Sequence, residues 1–326
     1  MKARTLETLA FVKESIALVN HERTPAVKQV YVGGYGPGIV TLGGEPARVA
    51  SPSFLAAHPT LPVLYAAGEL GRGWLTAFRT EPALSPFDER PSEGDSPCHV
   101  AVDPAGTVLA AANYGDGTAV IQRLDDRGAF EGDPIVLRHE GSGPNRSRQE
   151  GPHAHQAVFH EGILHVSDLG TDEIRRYRLD GTPLEPIAMH PGTGPRHFAF
   201  AGSRLYVAGE LDGSVTLIEG ERRTVAPASR CEGENHPSHL QVEGDFVYVA
   251  NRGPNTISVL RAADLSPVAE VRSGGDWPRH FAIDGATMYV ANQQSDAVTV
   301  FSLKEGVPEP SGQAYGVERP ACVLIM

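Results

Sequence analysis

Three observations predict that this 326-residue chain folds as an all-β, seven-bladed β-propeller. A proline opens a short apolar strand seven times, at Pro52, Pro97, Pro152, Pro195, Pro237, Pro278 and Pro320, in steps of 45, 55, 43, 42, 41 and 42 residues. After each of the first six comes a turn and a second apolar strand, reading VLYAAGE, VLAAANY, ILHVSDL, LYVAGEL, VYVANRG and MYVANQQ. No long stretch beyond the N-terminus carries helical periodicity. A period of about 40–45 residues, all strand and turn, is that of a propeller blade. One blade cannot bury both of its faces until neighbours stack on it, so the repeat overrides the two-domain expectation that length alone sets.

Taken in order, residues 1–29 precede the repeat. Leu6, Leu9, Val12 and Ile16 fall on one side of a short helix, and this segment is expected to be a loosely attached extension without catalytic role. Its basic start is followed by Glu7 and Glu14, which interrupt what would be the apolar region of a signal peptide, so a cytoplasmic protein is expected. The propeller is expected over residues 30–326. VYVGGYG at 30–36 matches the second strand of the later blades, and its missing first strand is PACVLI at 320–325. The last blade is therefore expected to be closed by the N- and C-terminal strands, which removes the open edge. The one long step, before Pro152, contains HEGSGPNRSRQEG at 139–151, a Gly- and Ser-rich loop carrying Arg146, Arg148 and Gln149. Long loops on rigid scaffolds are where function gathers.

Composition narrows the partners. The 36 Gly and 26 Pro suit many turns, and 40% hydrophobic residues are ample for a shared core. A net charge of −12 argues against nucleic acid and against an anionic membrane surface. Any anionic substrate must be drawn by a local basic pocket. Cys98, Cys231 and Cys322 are odd in number and lack CxxC spacing, so no disulfide framework is expected. No run of 18 apolar residues exists to span a membrane as a helix. HEGILH at 160–165 has one residue too many for a helical zinc motif and lies in a strand region. There is no GxSxG elbow and no phosphate-binding GxxxxGK[ST] loop. A closed ring needs no partner for stability, which makes a monomer the default.

Strand parity locates a site. In an antiparallel meander, the residue just after the opening proline and the residue ending the second strand share one face near the axis. Arg196 and Glu210 should then be neighbours, and the loop bearing Arg146 and Arg148 enters the same face. Two places after the proline, His recurs as His99, His197, His239 and His280, a repetition that points to scaffold. The position directly after the proline varies instead, reading Ser53, Cys98, His153, Arg196, Ser238, Arg279 and Ala321. Near-symmetry gives no packing reason for two Arg and one His there, so these three are candidate site residues. The second strands end in Glu69, Asn113, Asp168, Glu210, Asn251 and Asn292, polar groups that can cap a tunnel mouth. Glu210 stands out because its blade also supplies Arg196, and Glu69 in an identical AGEL is its rival.

RQEGPHAHQ at 148–156, GTGPRHFAF at 192–200, YVANR at 248–252, WPRHFAI at 277–283 and YVANQQSDAVTVF at 289–301 resemble the seven-bladed propeller lactonase family. That family includes bacterial propeller-type 6-phosphogluconolactonases and fungal 3-carboxy-cis,cis-muconate lactonizing enzymes. The resemblance spans about residues 30–326 and implies hydrolysis of a small anionic lactone, foremost 6-phosphogluconolactone, by a His from PHAH, the PRH arginines and a Glu. On this chain those are His153 or His155, Arg196, Arg279 and Glu210, and the chemistry so implied requires neither a metal nor an organic cofactor. His155 precedes its strand as the scaffold histidines do, which favours His153. Arg146, Arg148, Gln149, Asn251 and Asn292 are the expected substrate contacts. Three other readings stand beside it: a muconate-type or other carboxylate-lactone enzyme, a Ca²⁺-dependent lactonase using Glu69, Asn113, Asp168 and Asn251, and a non-catalytic binding propeller.

Overall fold

A computed structural model describes residues 28–326; the predicted N-terminal helical stripe lies outside the described residues. Seven four-stranded antiparallel sheets follow one another round a ring. Six are sequential meanders, whose innermost strands are Pro52–Ala57, Pro97–Val102, Ala154–His160, Pro195–Ala201, His236–Glu243 and Pro278–Asp284. We number these blades 1 to 6. The seventh is composite: Pro320–Ile325 pairs with Val30–Gly34, followed by Gly38–Thr41 and Pro46–Arg48. Reciprocal backbone bonds between Gln29 and Met326, at 2.8 and 3.0 Å, extend that closure.

The second strand of each blade is buried on both faces, because the next blade covers what the previous one leaves open. Val63–Gly68 and Val108–Asn113 are buried at every residue. Such strands read as continuous apolar runs, whereas the outermost strands, such as Arg222–Pro227, are largely exposed. Small residues allow the close stacking. Ala110, Ala112 and Ala119 of blade 2 pack on Ala157, Leu164 and Val166 of blade 3.

Proline suits the start of an innermost strand, an edge position where a missing N–H breaks no ladder bond. Just past the first paired residue, the ladder slips in every blade. Pro52 pairs with Gly68 but Phe54 with Ala67; Pro97 pairs with Asn113 but His99 with Ala112. The same slip occurs after Pro237 and Pro278. One residue per blade is thus bulged out of the ladder, a device that re-aims its side chain. Blade 3 differs from the sequence expectation. Its equivalent of the opening proline is Ala154, paired with Asp168, and Gln156 pairs with Ser167. The strand therefore starts two residues beyond Pro152, and the bulged residue is His155.

The recurrent histidines floor the axis. His99, His197, His239 and His280 are buried around Phe54, with Phe54–His99 and His239–His280 ring centroids each 3.9 Å apart. Their nitrogens also tie blades together. His99 Nδ1 accepts the Ala157 amide at 3.4 Å and His280 Nδ1 the Val323 amide at 3.3 Å, each from the next blade. In blade 3, Gln156 takes over this duty, its Oε1 accepting the Phe198 amide at 2.6 Å. Burial holds His99, His197 and His239 well below the usual imidazole range and pushes His280 down to about 3.

Two predictions follow from this architecture. Deleting Pro320–Met326 reopens the ring at its composite blade, and urea denaturation should show loss of the single cooperative transition rather than a local fraying. Acidification should destabilise the ring for the sake of its floor. The unfolded chain's histidines gain protons as pH falls through about 6.5, while the folded ones stay neutral. Each then costs about 1.4 kcal/mol per pH unit between there and its folded value. Denaturation midpoints should therefore fall steeply between pH 7 and 5, and the slope should flatten in His239→Gln.

Candidate active site

Two rings of residues face the axis on the side where the innermost strands begin. The first is the bulge ring: Ser53, Cys98, His155, Arg196, Ser238, Arg279 and Ala321. The second lies one residue beyond the partners of the opening residues. Those partners are Gly68, Asn113, Asp168, Gly209, Asn251, Asn292 and Gly34, so the second ring is Glu69, Tyr114, Leu169, Glu210, Arg252, Gln293 and Tyr35. A cavity of about 190 Å³ is lined by Cys98, His155, Arg196 and Arg279 from the first ring and Glu69, Tyr114, Glu210 and Arg252 from the second. Arg148 completes the wall from the long loop.

That loop is clasped at both ends by Asp168. Its Oδ2 lies 2.7 Å from His139 Nδ1, and its Oδ1 accepts the His153 amide at 2.8 Å. Gly170 is needed where the two chain segments meet, since a Cβ there would sit 1.9 Å from the Gly151 carbonyl oxygen. Gln149 is fully buried beneath the loop, donating to the Leu169 carbonyl at 2.9 Å and accepting the Asn145 amide at 3.0 Å. It anchors the loop and does not line the cavity. Arg148 is the side chain so delivered; Arg146 is exposed and lines no part of the cavity.

Glu210 organises the charges. Its Oε1 accepts from Arg148 Nη2 at 2.6 Å and its Oε2 from Arg252 Nη2 at 2.6 Å, with Arg196 Nε 2.9 Å from Oε2. The last contact is an ion pair without hydrogen-bond alignment, since Arg196 Nε has no such partner. Burial opposes ionisation of Glu210, but Arg252, Arg196 and Arg148 hold its carboxyl well below the usual range. Burial, then the neighbouring Arg252, push the Arg196 guanidinium down to about 9. Arg279 is less committed: among the described residues its one side-chain hydrogen bond is to Gln293 Oε1, at 3.3 Å, and it lies 5.2 Å from the Tyr35 ring centroid. His155 is kept neutral by burial and then by Arg196. Burial and then Glu69 push the Cys98 thiol far up, and its sulfur lies 3.7 Å from His155 Nδ1.

Arg196 and Glu210 meet as strand parity requires, and Arg279, Arg148 and His155 join them. Arg146 and Gln149 are thus corrected as substrate contacts, and three further expectations are corrected with them. His153 stands outside the cavity wall, stacked on Tyr114 at 4.6 Å with its Nδ1 donating to the Tyr114 carbonyl at 2.8 Å. The two-residue shift in blade 3 is the cause. Asn251 and Asn292 are 0% exposed and spend their amides on Ala228, Thr256 and Ser258, and on Ser273 and Thr299, respectively. They belong with Asn113 and Asp168 one register step below Glu69 and Glu210, so the proposed Ca²⁺ ligands do not converge. Arg252 is a site residue that sequence reading missed. Aligning the second strands on their pairing partners, rather than on their last polar residue, would have placed it opposite Glu210.

A family model described as Lactonase, 7-bladed beta-propeller matches residues 23–325. The chain belongs to that lactonase family. It is 31% identical over 258 residues to the 6-phosphogluconolactonase of Bacillus subtilis, covering 71% of this chain and 73% of that one. It is 29% identical over 249 residues to the 6-phosphogluconolactonase of Formosa agariphila, covering 68% and 70%. A crystal structure from Lactobacillus plantarum superposes with a TM-score of 0.83 at 26% identity, over 92% of this chain and 99% of that one. The periplasmic gluconolactonase of Pseudomonas aeruginosa gives 0.84 at 24% identity, over 91% and 98%, and shows the shared fold. Lactone hydrolysis is thus the chemistry of this family member.

Removing the hub of the charge cluster should be costly, because it strands buried guanidinium groups. Glu210→Ala is expected to lose about 3–5 kcal/mol in urea denaturation. An unchanged midpoint would show that the arginines do not depend on it.

Proposed function

We propose that this protein hydrolyses 6-phosphogluconolactone to 6-phosphogluconate. The observation that carries the reading is the charge of the cavity: four guanidinium groups, on Arg148, Arg196, Arg252 and Arg279, converge against two carboxylates, on Glu69 and Glu210. A phosphomonoester carries about −1.5 to −2 at neutral pH and accepts several charge-assisted hydrogen bonds, which matches this surplus. The names of the Bacillus and Formosa relatives support the same substrate.

Arg279 is the anchor for the phosphate, having the most uncommitted donors of the four. Arg196, at the centre of the cluster, and the neutral imidazole of His155 face the carbonyl, where negative charge develops as water adds. A neutral imidazole can donate a hydrogen bond to such an oxyanion without first losing a proton to its neighbours. A phosphorylated sugar-acid substrate implies the cytoplasm, where such metabolites are held. Nothing in the scheme calls for a nucleic-acid or membrane partner, or for a second copy of the chain.

The test is acid release in a pH-stat from freshly generated 6-phosphogluconolactone, with unphosphorylated gluconolactone and a carboxylated lactone in parallel. Strong acceleration of the phosphorylated lactone alone is expected. Acceleration of the carboxylated lactone alone would replace the phosphate by a carboxylate, and acceleration of none would return the pocket to ligand binding. Arg279→Ala should raise KM for the phosphorylated substrate on the order of tenfold to a hundredfold, with a smaller change in kcat.

A further inference from the structure

Glu69 and Glu210 occupy the same register position in blades 1 and 4, each one residue beyond the glycine that pairs with the opening proline. Each ends an AGE sequence and each lines the cavity. Their surroundings differ completely. Glu210 is almost fully buried and both of its oxygens are taken by guanidinium groups. Glu69 is only partly buried and, among the described residues, forms no ion pair. Its Oε2 accepts the Tyr35 hydroxyl at 2.8 Å, and Oε1 has no protein partner among those residues. Tyr35 is itself held between Arg279 and Arg319, whose guanidinium carbons lie 5.2 and 5.1 Å from its ring centroid.

A carboxylate bound by three arginines is a poor proton acceptor, because protonation would forfeit all three contacts. A carboxylate steadied through one oxygen by a neutral hydroxyl, with its other oxygen free of protein partners on a side chain that lines the cavity, has the form of a general base. We infer that Glu69 is the catalytic base of the reaction and Tyr35 its positioning residue, while Glu210 is a fixed electrostatic hub. The inference rests on the lactonase reading above.

The step balances within the site. Glu69 Oε1 takes a proton from water as the water oxygen bonds to the lactone carbonyl carbon, and the π pair moves onto the carbonyl oxygen. When that pair returns, the ring C–O bond breaks. The departing ring oxygen leaves with the bonding pair and receives the proton from Glu69, which regenerates the carboxylate. The new carboxyl group then ionises to solvent. Glu69, Arg279, Arg196 and Cys98 also line the narrow recess that continues the cavity toward His197 and Phe54, so the base stands beside the anion anchor.

The decisive variant is Glu69→Gln, which keeps the size of the side chain and an oxygen for the Tyr35 hydroxyl but removes the basicity. Its kcat should fall on the order of 10²-fold or more, and KM should stay level or fall, since the anionic substrate meets one negative charge fewer. Thermal unfolding of the variant alongside wild type separates this from misfolding. In Glu69→Ala, added formate and related small carboxylates should restore turnover, with the rescued rate rising with the basicity of the added acid. A purely positioning carboxylate would show no such trend. A Glu69→Gln enzyme within twofold of wild-type kcat, or a rescue indifferent to basicity, would overturn the assignment while leaving the lactonase reading intact. A wild-type enzyme inactive on every anionic lactone would overturn both.

Discussion

The ring is the constraint on which everything else depends. Each blade buries the face its neighbour exposes, so none is complete until the first and last strands of the chain pair in the seventh. Closure brings seven innermost strands side by side around one axis. The bulge after each opening residue then turns one side chain per blade toward that axis, and the next residue past its partner adds a second. A small cavity is thereby lined from two rings whose members are some forty residues apart in sequence, consistent with the blade period. The same convergence crowds His99, His197 and His280 onto Phe54, with His239 against His280, and burial there favours their neutral forms.

Charge is distributed unevenly over this symmetric frame. The chain is acidic overall, yet its axis gathers four arginines and two glutamates. Burying several guanidinium groups together is unfavourable unless a counter-charge is fixed among them. Glu210 supplies it, bridging blades 4 and 5 and the long loop. The cluster is therefore a structural joint, with Arg279 outside the direct grip of Glu210, and it is the anion site proposed above. Glu69, at the equivalent place in blade 1, meets a tyrosine instead of arginines, and that difference of neighbour is the basis for inferring different roles for two carboxylates in equivalent positions.

Much of the fold is legible in the sequence. Proline at the head of each strand, the near-constant step and the orphan strands at 30–36 and 320–325 define seven blades and their closure. Parity alone brought Arg196 to Glu210. The errors arose where equivalence had to be judged by residue type. Pro152 resembles the other opening prolines, but pairing begins at Ala154, so His153 and His155 exchange places. The polar residues ending the second strands belong to two registers, so Asn251 and Asn292 appeared to accompany Glu210 when they lie beneath it. Arg252, one residue further, was passed over.

By itself, then, the sequence determined the architecture, the face on which the candidate site residues gather and most of the charged residues among them, because strand periodicity and repeat length are local properties that each blade states again. Tertiary structure alone decided which histidine reaches the cavity, which carboxylate is saturated and which remains open. Those outcomes depend on a one- or two-residue choice of ladder register and on contacts between blades distant in the chain, such as Arg148 and Arg252 meeting Glu210. Near-identical local motifs, AGEL twice over, encode neither.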